Sequence, residues 1–90
     1  MADTEKDTLL EFPAEFPLKV MGASQDGFAE EVVRVVTLHA PDFDASRMEI
    51  RTSSGGNYTS LTCTITANSK EQLDNLYRAL TSHPMVKVVL

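Results

Sequence analysis

The sequence predicts an α+β domain, a four-stranded antiparallel sheet with two helices packed on one of its faces. Three observations carry that reading. Residues 48–67 form two alternating arms joined at Gly55-Gly56-Asn57. Residues 26–39 and 69–80 repeat apolar side chains at helical spacing, and alternating apolar segments lie at 16–21 and 86–90.

The hairpin is the clearest element. Its second arm places Leu61, Cys63, Ile65 and Ala67 on one face and Tyr58, Ser60, Thr62, Thr64 and Thr66 on the other. The first arm sets Met48 and Ile50 against Glu49 and Arg51. Glycine and asparagine at the join tolerate the positive φ of a tight hairpin turn. A sheet with one apolar face and one hydroxyl-rich face follows.

In chain order, residues 1–8 are polar and acidic and read as a disordered tail, with a single domain over 9–90. Leu9, Leu10 and Phe12 before Pro13 predict a short extended or single-turn segment laid on the domain. The first strand is expected at 16–21, with Phe16, Leu18 and Val20 facing the core. A helix follows to about His39, started by Ser24 or Asp26 as cap and buried along Phe28, Val32, Val35, Val36 and His39. Glu30 and Arg34 stand four apart on its outer side, a spacing that pairs charges. Pro41 ends it. After the hairpin, Ser69 and Gln72 have capping-box spacing, and Leu73, Leu76, Tyr77 and Leu80 form a second stripe. Pro84 stops that helix, and 86–90 is the last strand.

The order strand, helix, strand, strand, helix, strand is the split βαβ pattern of ferredoxin-like sandwiches. Right-handed crossovers then place both helices on one face and give strand order 4-1-3-2. The other face is open, and we assign to it Lys19, Met21, Glu49, Arg51, Tyr58, Ser60, Thr62, Thr64, Lys87 and Val89.

Composition limits what the domain does. The 90 residues carry 8 Lys plus Arg against 13 Asp plus Glu, a net charge of −5. That balance repels phosphate at long range and disfavours nucleic acid as a partner. Cys63 is the only cysteine, so the chain forms no internal disulfide, as expected in a reducing cytoplasm. No apolar run approaches the roughly 20 residues of a membrane span, and the start lacks the pattern of a secretory signal. A cytoplasmic protein without membrane contact is expected.

The scaffold hosts many activities, so each needs its own residues. RNA recognition on the open face requires stacking aromatics on the central strands, and only Tyr58 is offered. A copper chaperone needs paired cysteines where this chain has Gly22 to Gly27, and an acyl-phosphate hydrolase needs an arginine there. Neither is present. Ser53, Ser54 and Ser60 lack an evident base, His39 and His83 read as helix-end residues, and Cys63 as core. No catalytic residue, metal site or cofactor is therefore assigned.

Two binding candidates remain. At the first βα junction, the amides of Gly22, Ala23 and Ser24 are candidate receivers of a small anionic effector, with Lys19 or Arg51 as counter-charge. At the hairpin tip, Ser53, Ser54, Gly56, Asn57 and Tyr58 are candidate contacts for a protein partner. The plainer readings, a simple βα turn and a simple hairpin turn, stand beside them.

Leu9-Leu10-Glu11-Phe12-Pro13, Lys19-Val20-Met21-Gly22, His39-Ala40-Pro41 and Ser53-Ser54 with Gly56-Asn57-Tyr58 together resemble the YbeD-like family of small bacterial proteins, as does the closing Val89-Leu90. The resemblance spans nearly all of the chain after the tail. It implies a βαββαβ fold similar to ACT-type regulatory domains, which bind amino acids or similar effectors at dimer interfaces. It supplies no catalytic residues and carries only a gene-neighbourhood association with lipoate metabolism. The expectation is a non-enzymatic regulatory or adaptor module, monomeric or weakly dimeric, with an unknown protein partner and a small effector. An enzyme subunit completed by another chain and an RNA-binding sheet are the alternatives.

Overall fold

Strand β1 spans Ala14–Ala23 and pairs antiparallel with strand β3, Tyr58–Ala67, over its whole length, from Ala14 opposite Ala67 to Ala23 opposite Tyr58. The fold is that of a computed structural model, in which residues 12–90 are described. The expected acidic tail at 1–8 and most of the expected segment at 9–13 lie outside the described residues.

Helix α1, Phe28–His39, follows β1. A 3₁₀ turn at Ala45–Arg47 then leads to strand β2, Glu49–Thr52, which pairs antiparallel with β3. Helix α2, Lys70–Thr81, leads back to a short strand β4, Val88–Val89, on the far side of β1. Sheet order is β2-β3-β1-β4, the order expected from right-handed crossovers. Backbone bonds extend the β4 pairing beyond its short core. The amide of Lys87 donates to the Met21 carbonyl, and Lys19 and Leu90 exchange amide-to-carbonyl bonds at 2.8 and 3.0 Å.

The core lies between the sheet and the helices. Val20, Leu61, Cys63 and Ile65 from the sheet meet Phe28, Val32, Val36, Leu76 and Leu80 from the helices, all essentially inaccessible to water. Alternation along β3 is as predicted, because a strand with one covered face must bury every second residue. Phe16 and Leu18 pack at the edge of this core.

Four local expectations are corrected. First, β1 runs two residues past Met21 and draws Ser24 into the end of the sheet. The Ser24 amide donates to the Asn57 carbonyl at 2.9 Å, and its hydroxyl bonds that of Thr59 at 2.7 Å. Neither Ser24 nor Asp26 caps α1. Its cap is Gly27 at φ 84°, with no side-chain cap bond.

Second, Arg34 pairs with Glu31, three residues earlier, its Nε at 3.0 Å from Oε1, and not with Glu30. Third, Ile50 shares the helix-side face with Leu61 but is 57% exposed, because β2 is an edge strand that the core does not reach. Fourth, Val89 is buried and Val88 is the β4 residue on the open face, since Val88 stands opposite Met21 and Val89 opposite Val20.

The start of α2 follows its sequence signal. Ser69 Oγ accepts from the Gln72 amide at 3.1 Å, and Gln72 Oε1 accepts from the Asn68 amide at 2.6 Å. Gln72 Nε2 also donates to the His39 carbonyl at 2.7 Å, joining the start of α2 to the end of α1.

Candidate functional site

The alternation that buries one face of the sheet sets out the other in rows. In one row Arg51 on β2 stands opposite Ser60 on β3, Ser60 opposite Met21 on β1, and Met21 opposite Val88 on β4. The neighbouring row holds Tyr58 opposite Ala23. Together with Thr52, Ser53, Thr59 and Lys87, these residues line a trough of about 430 Å³ across the strands. Its apolar floor comes from Met21, Val88 and the ring of Tyr58, the last two 43% and 58% exposed.

The electrostatics of the trough differ from those of the chain. In a protein of net charge −5, the lining has two cations, Arg51 and Lys87, and no acid. The two stand at opposite edges of the sheet, Arg51 on β2 and Lys87 at the entry to β4. Glu49 is two residues from Arg51 on the same face but lies outside the lining.

The expected effector residues are not gathered in one place. Gly22 points its α-carbon at the core, where a β-carbon would meet the Phe28 ring at 2.7 Å as well as the Met85 carbonyl. Its glycine is required by close packing. The Ser24 amide is already bonded, and α1 begins only at Phe28, so residues 22–24 do not open directly into a helix N-terminus. Of that candidate set, Arg51 enters the trough, Lys19 occupies the adjacent row opposite Thr62, and Ala23 stands opposite Tyr58.

The hairpin tip is a closed turn. The Ser53 amide donates to the Tyr58 carbonyl at 2.8 Å, Ser53 Oγ accepts from the Tyr58 amide at 3.1 Å, and the Gly56 amide donates to the Ser53 carbonyl at 2.8 Å. Gly56 takes φ 76°, the conformation for which glycine is suited. Every residue from Arg51 to Tyr58 is exposed. Ser53 and Tyr58 belong to the trough, and Ser54, Gly56 and Asn57 extend beyond it as its free end. The two candidate regions thus meet at Arg51, Ser53 and Tyr58.

Met21 and Ser60 were legible as open-face residues, but nothing in their spacing marked them as a site, and Lys87, assigned there by the parity that failed at Val89, lines the trough from just before β4. Val88 was masked by the one-residue slip in β4 parity.

Other groups with chemistry lie elsewhere. Burial pushes the Cys63 thiol up to about 11 and removes it from solvent. His83 bonds Glu31 and the Met85 amide on the helix side. Among the described residues, no three of His, Cys, Asp and Glu are grouped to hold a metal ion. No described helix is long and apolar enough to cross a membrane.

The sheet order and the single helical layer define a ferredoxin-like α+β domain of the ACT-like kind. The solution structure of protein HP0495 from H. pylori matches 90% of this chain and 85% of its own with a TM-score of 0.68 at 16% identity. The ACT domain from GTP pyrophosphokinase of Chlorobium tepidum matches 84% of each chain with a TM-score of 0.64 at 14% identity. At those identities the likeness is one of fold.

Residues 7–90 match the family described as Protein of unknown function (DUF493), and the chain belongs to it. Relatives include UPF0250 protein RSc0326 of Ralstonia nicotianae, 57% identical over 99% of this chain and 92% of that relative. UPF0250 protein NE1487 of Nitrosomonas europaea is 52% identical over 94% of this chain and 98% of its own length. This is the family of small bacterial proteins that the short motifs pointed to.

Proposed function

We propose that the protein is a non-catalytic regulatory module whose working surface is the open sheet face. The trough receives a contact there, and the exposed hairpin tip beside it presents the result to a protein partner. The observation that carries this reading is the row Arg51, Ser60, Met21, Val88 with Tyr58 alongside. It is a formed, cation-flanked hollow on the face that the helices leave uncovered. Hollows of a few hundred Å³ with few polar groups are typical of binding sites. Neither the thiol nor the tied imidazole of the chain reaches it. Cys63 is in the core, and His83 is tied between Glu31 and Met85. The ACT-like shape adds support of a general kind, since a GTP pyrophosphokinase carries a domain of this shape.

The test is replacement of the chromosomal copy in a bacterium that carries this protein. A deletion is compared with wild type by metabolite and transcript profiles, then complemented with wild type or with Met21→Asp/Val88→Asp, which places charge on the trough floor. We expect wild type to restore the profile and the double variant, accumulated to the same level and folded by circular dichroism, to fail. Full restoration by the double variant removes the open face as the working surface. Turnover of a substrate by the purified protein alone removes the non-catalytic part.

A further inference from the structure

We infer that the trough takes a small, elongated organic dianion lying across the strands, with an apolar middle over Met21 and Val88 and an anionic group at each end. The inference rests on the open face being the working surface and names what that face binds.

The argument is geometric. Arg51 and Lys87 enter the trough from opposite edges, and three inter-strand steps of about 4.8 Å separate the backbones of β2 and β4, about 14 Å in all. A ligand laid along the row meets both cations with its two ends while its body covers the floor between them. Between the cations, the floor is Met21 and Val88, with the Tyr58 ring closing one side. Burying such a floor favours a ligand with a hydrocarbon body. Ser60 lies between Arg51 and Met21 in the same row and offers a hydroxyl at the Arg51 end. The volume of about 430 Å³ fits a small molecule.

Charge decides between occupants. Among the described residues, the only charges in the lining are two cations, which favours an anionic occupant over a neutral one. A dianion neutralises both cations at once.

The probe is decanedioate, titrated through the millimolar range into the full ¹⁵N-labelled chain, with 1,10-decanediol and acetate as matched controls for length without charge and charge without length. The expected result is saturable amide shifts centred on Met21, Arg51, Ser60 and Val88 with decanedioate. Neither control should reproduce them. Arg51→Gln and Lys87→Gln should each weaken binding roughly two- to fivefold, the range of an exposed ion pair. Both side chains are exposed, so these variants should keep the wild-type spectrum elsewhere. Lys19→Gln, one row away, should weaken binding less than either.

Equal shifts with the diol overturn the inference in favour of a purely apolar site. Shifts outside the trough, no saturable shifts, or indifference to both glutamine variants also overturn it. Concentration-dependent shifts at the same residues without ligand assign the face to a second copy instead. If decanedioate fails while Met21→Asp/Val88→Asp still abolishes complementation, the ligand class falls and the working face stands.

Discussion

His83 Nε2 lies 3.1 Å from Glu31 Oε1, so a residue just past α2 is tied to the first turns of α1. The same imidazole accepts the Met85 amide at Nδ1, also at 3.1 Å. A ring nitrogen that accepts carries no proton, so the proton sits on Nε2 and is donated to Glu31. The arrangement fixes the path of the chain as it leaves α2 for β4. His83→Ala should remove both bonds and destabilise the fold by about 1–2 kcal/mol. Urea unfolding followed by circular dichroism measures this, and an unchanged midpoint refutes a structural role for the tie.

Glu31 also sets an acid limb. The Arg34 guanidinium, and after it His83, holds its carboxyl down at about 2, against an ordinary 4.5. A carboxyl depressed in the folded state stabilises it fully above the unfolded value. Its contribution should therefore be lost as pH falls from about 4.5 towards about 2. Thermal midpoints across that window should fall less steeply in Glu31→Gln than in wild type. Parallel curves sink the assignment.

Gly22→Ala should destabilise by about 1–3 kcal/mol through overpacking. A β-carbon there would press on the Met85 backbone carbonyl and on the Phe28 ring, whose side chain is 2% exposed and has little room to give. Gly22 has no positive φ, so the cost is steric and not conformational. A second substitution that shrinks Phe28 to Leu should recover part of the loss. Additive losses in the double variant contradict the contact.

Leu61 and Ile50 stand opposite each other in the β2–β3 ladder but differ in burial, 0% against 57% exposed. Leu61→Ala should cost about 2–5 kcal/mol, as buried leucines do. Ile50→Ala should stay within about 0.5 kcal/mol of wild type. Chemical denaturation of the two variants side by side decides it, and similar losses show that Ile50 is covered in solution.

Element order and the two-sided character of the sheet were readable from local pattern. Period-two alternation in 58–67 and helical spacing in 28–39 and 70–80 are local consequences of burying one face, and they survive in any packing that covers that face. Handedness then left one strand order. The Ser69–Gln72 cap was equally legible, because its donor and acceptor are three residues apart. The short motifs with their order pointed to the family.

Tertiary structure alone decided what lies next to what. Glu31 meets His83 across 52 residues, and Gln72 meets the His39 carbonyl across 33. Ser24, read as a helix cap, became the clasp between β1 and the hairpin because β1 continued two residues further. Ile50 follows the apolar pattern and is exposed all the same, since β2 is the edge strand beyond the reach of the core. The trough assembled Arg51, Ser60, Met21 and Val88 from all four strands. Alternation put Arg51, Ser60 and Met21 on that face but misplaced Val88, and only strand register aligns the four in one row. Register is a property of paired strands and is absent from any one of them read alone.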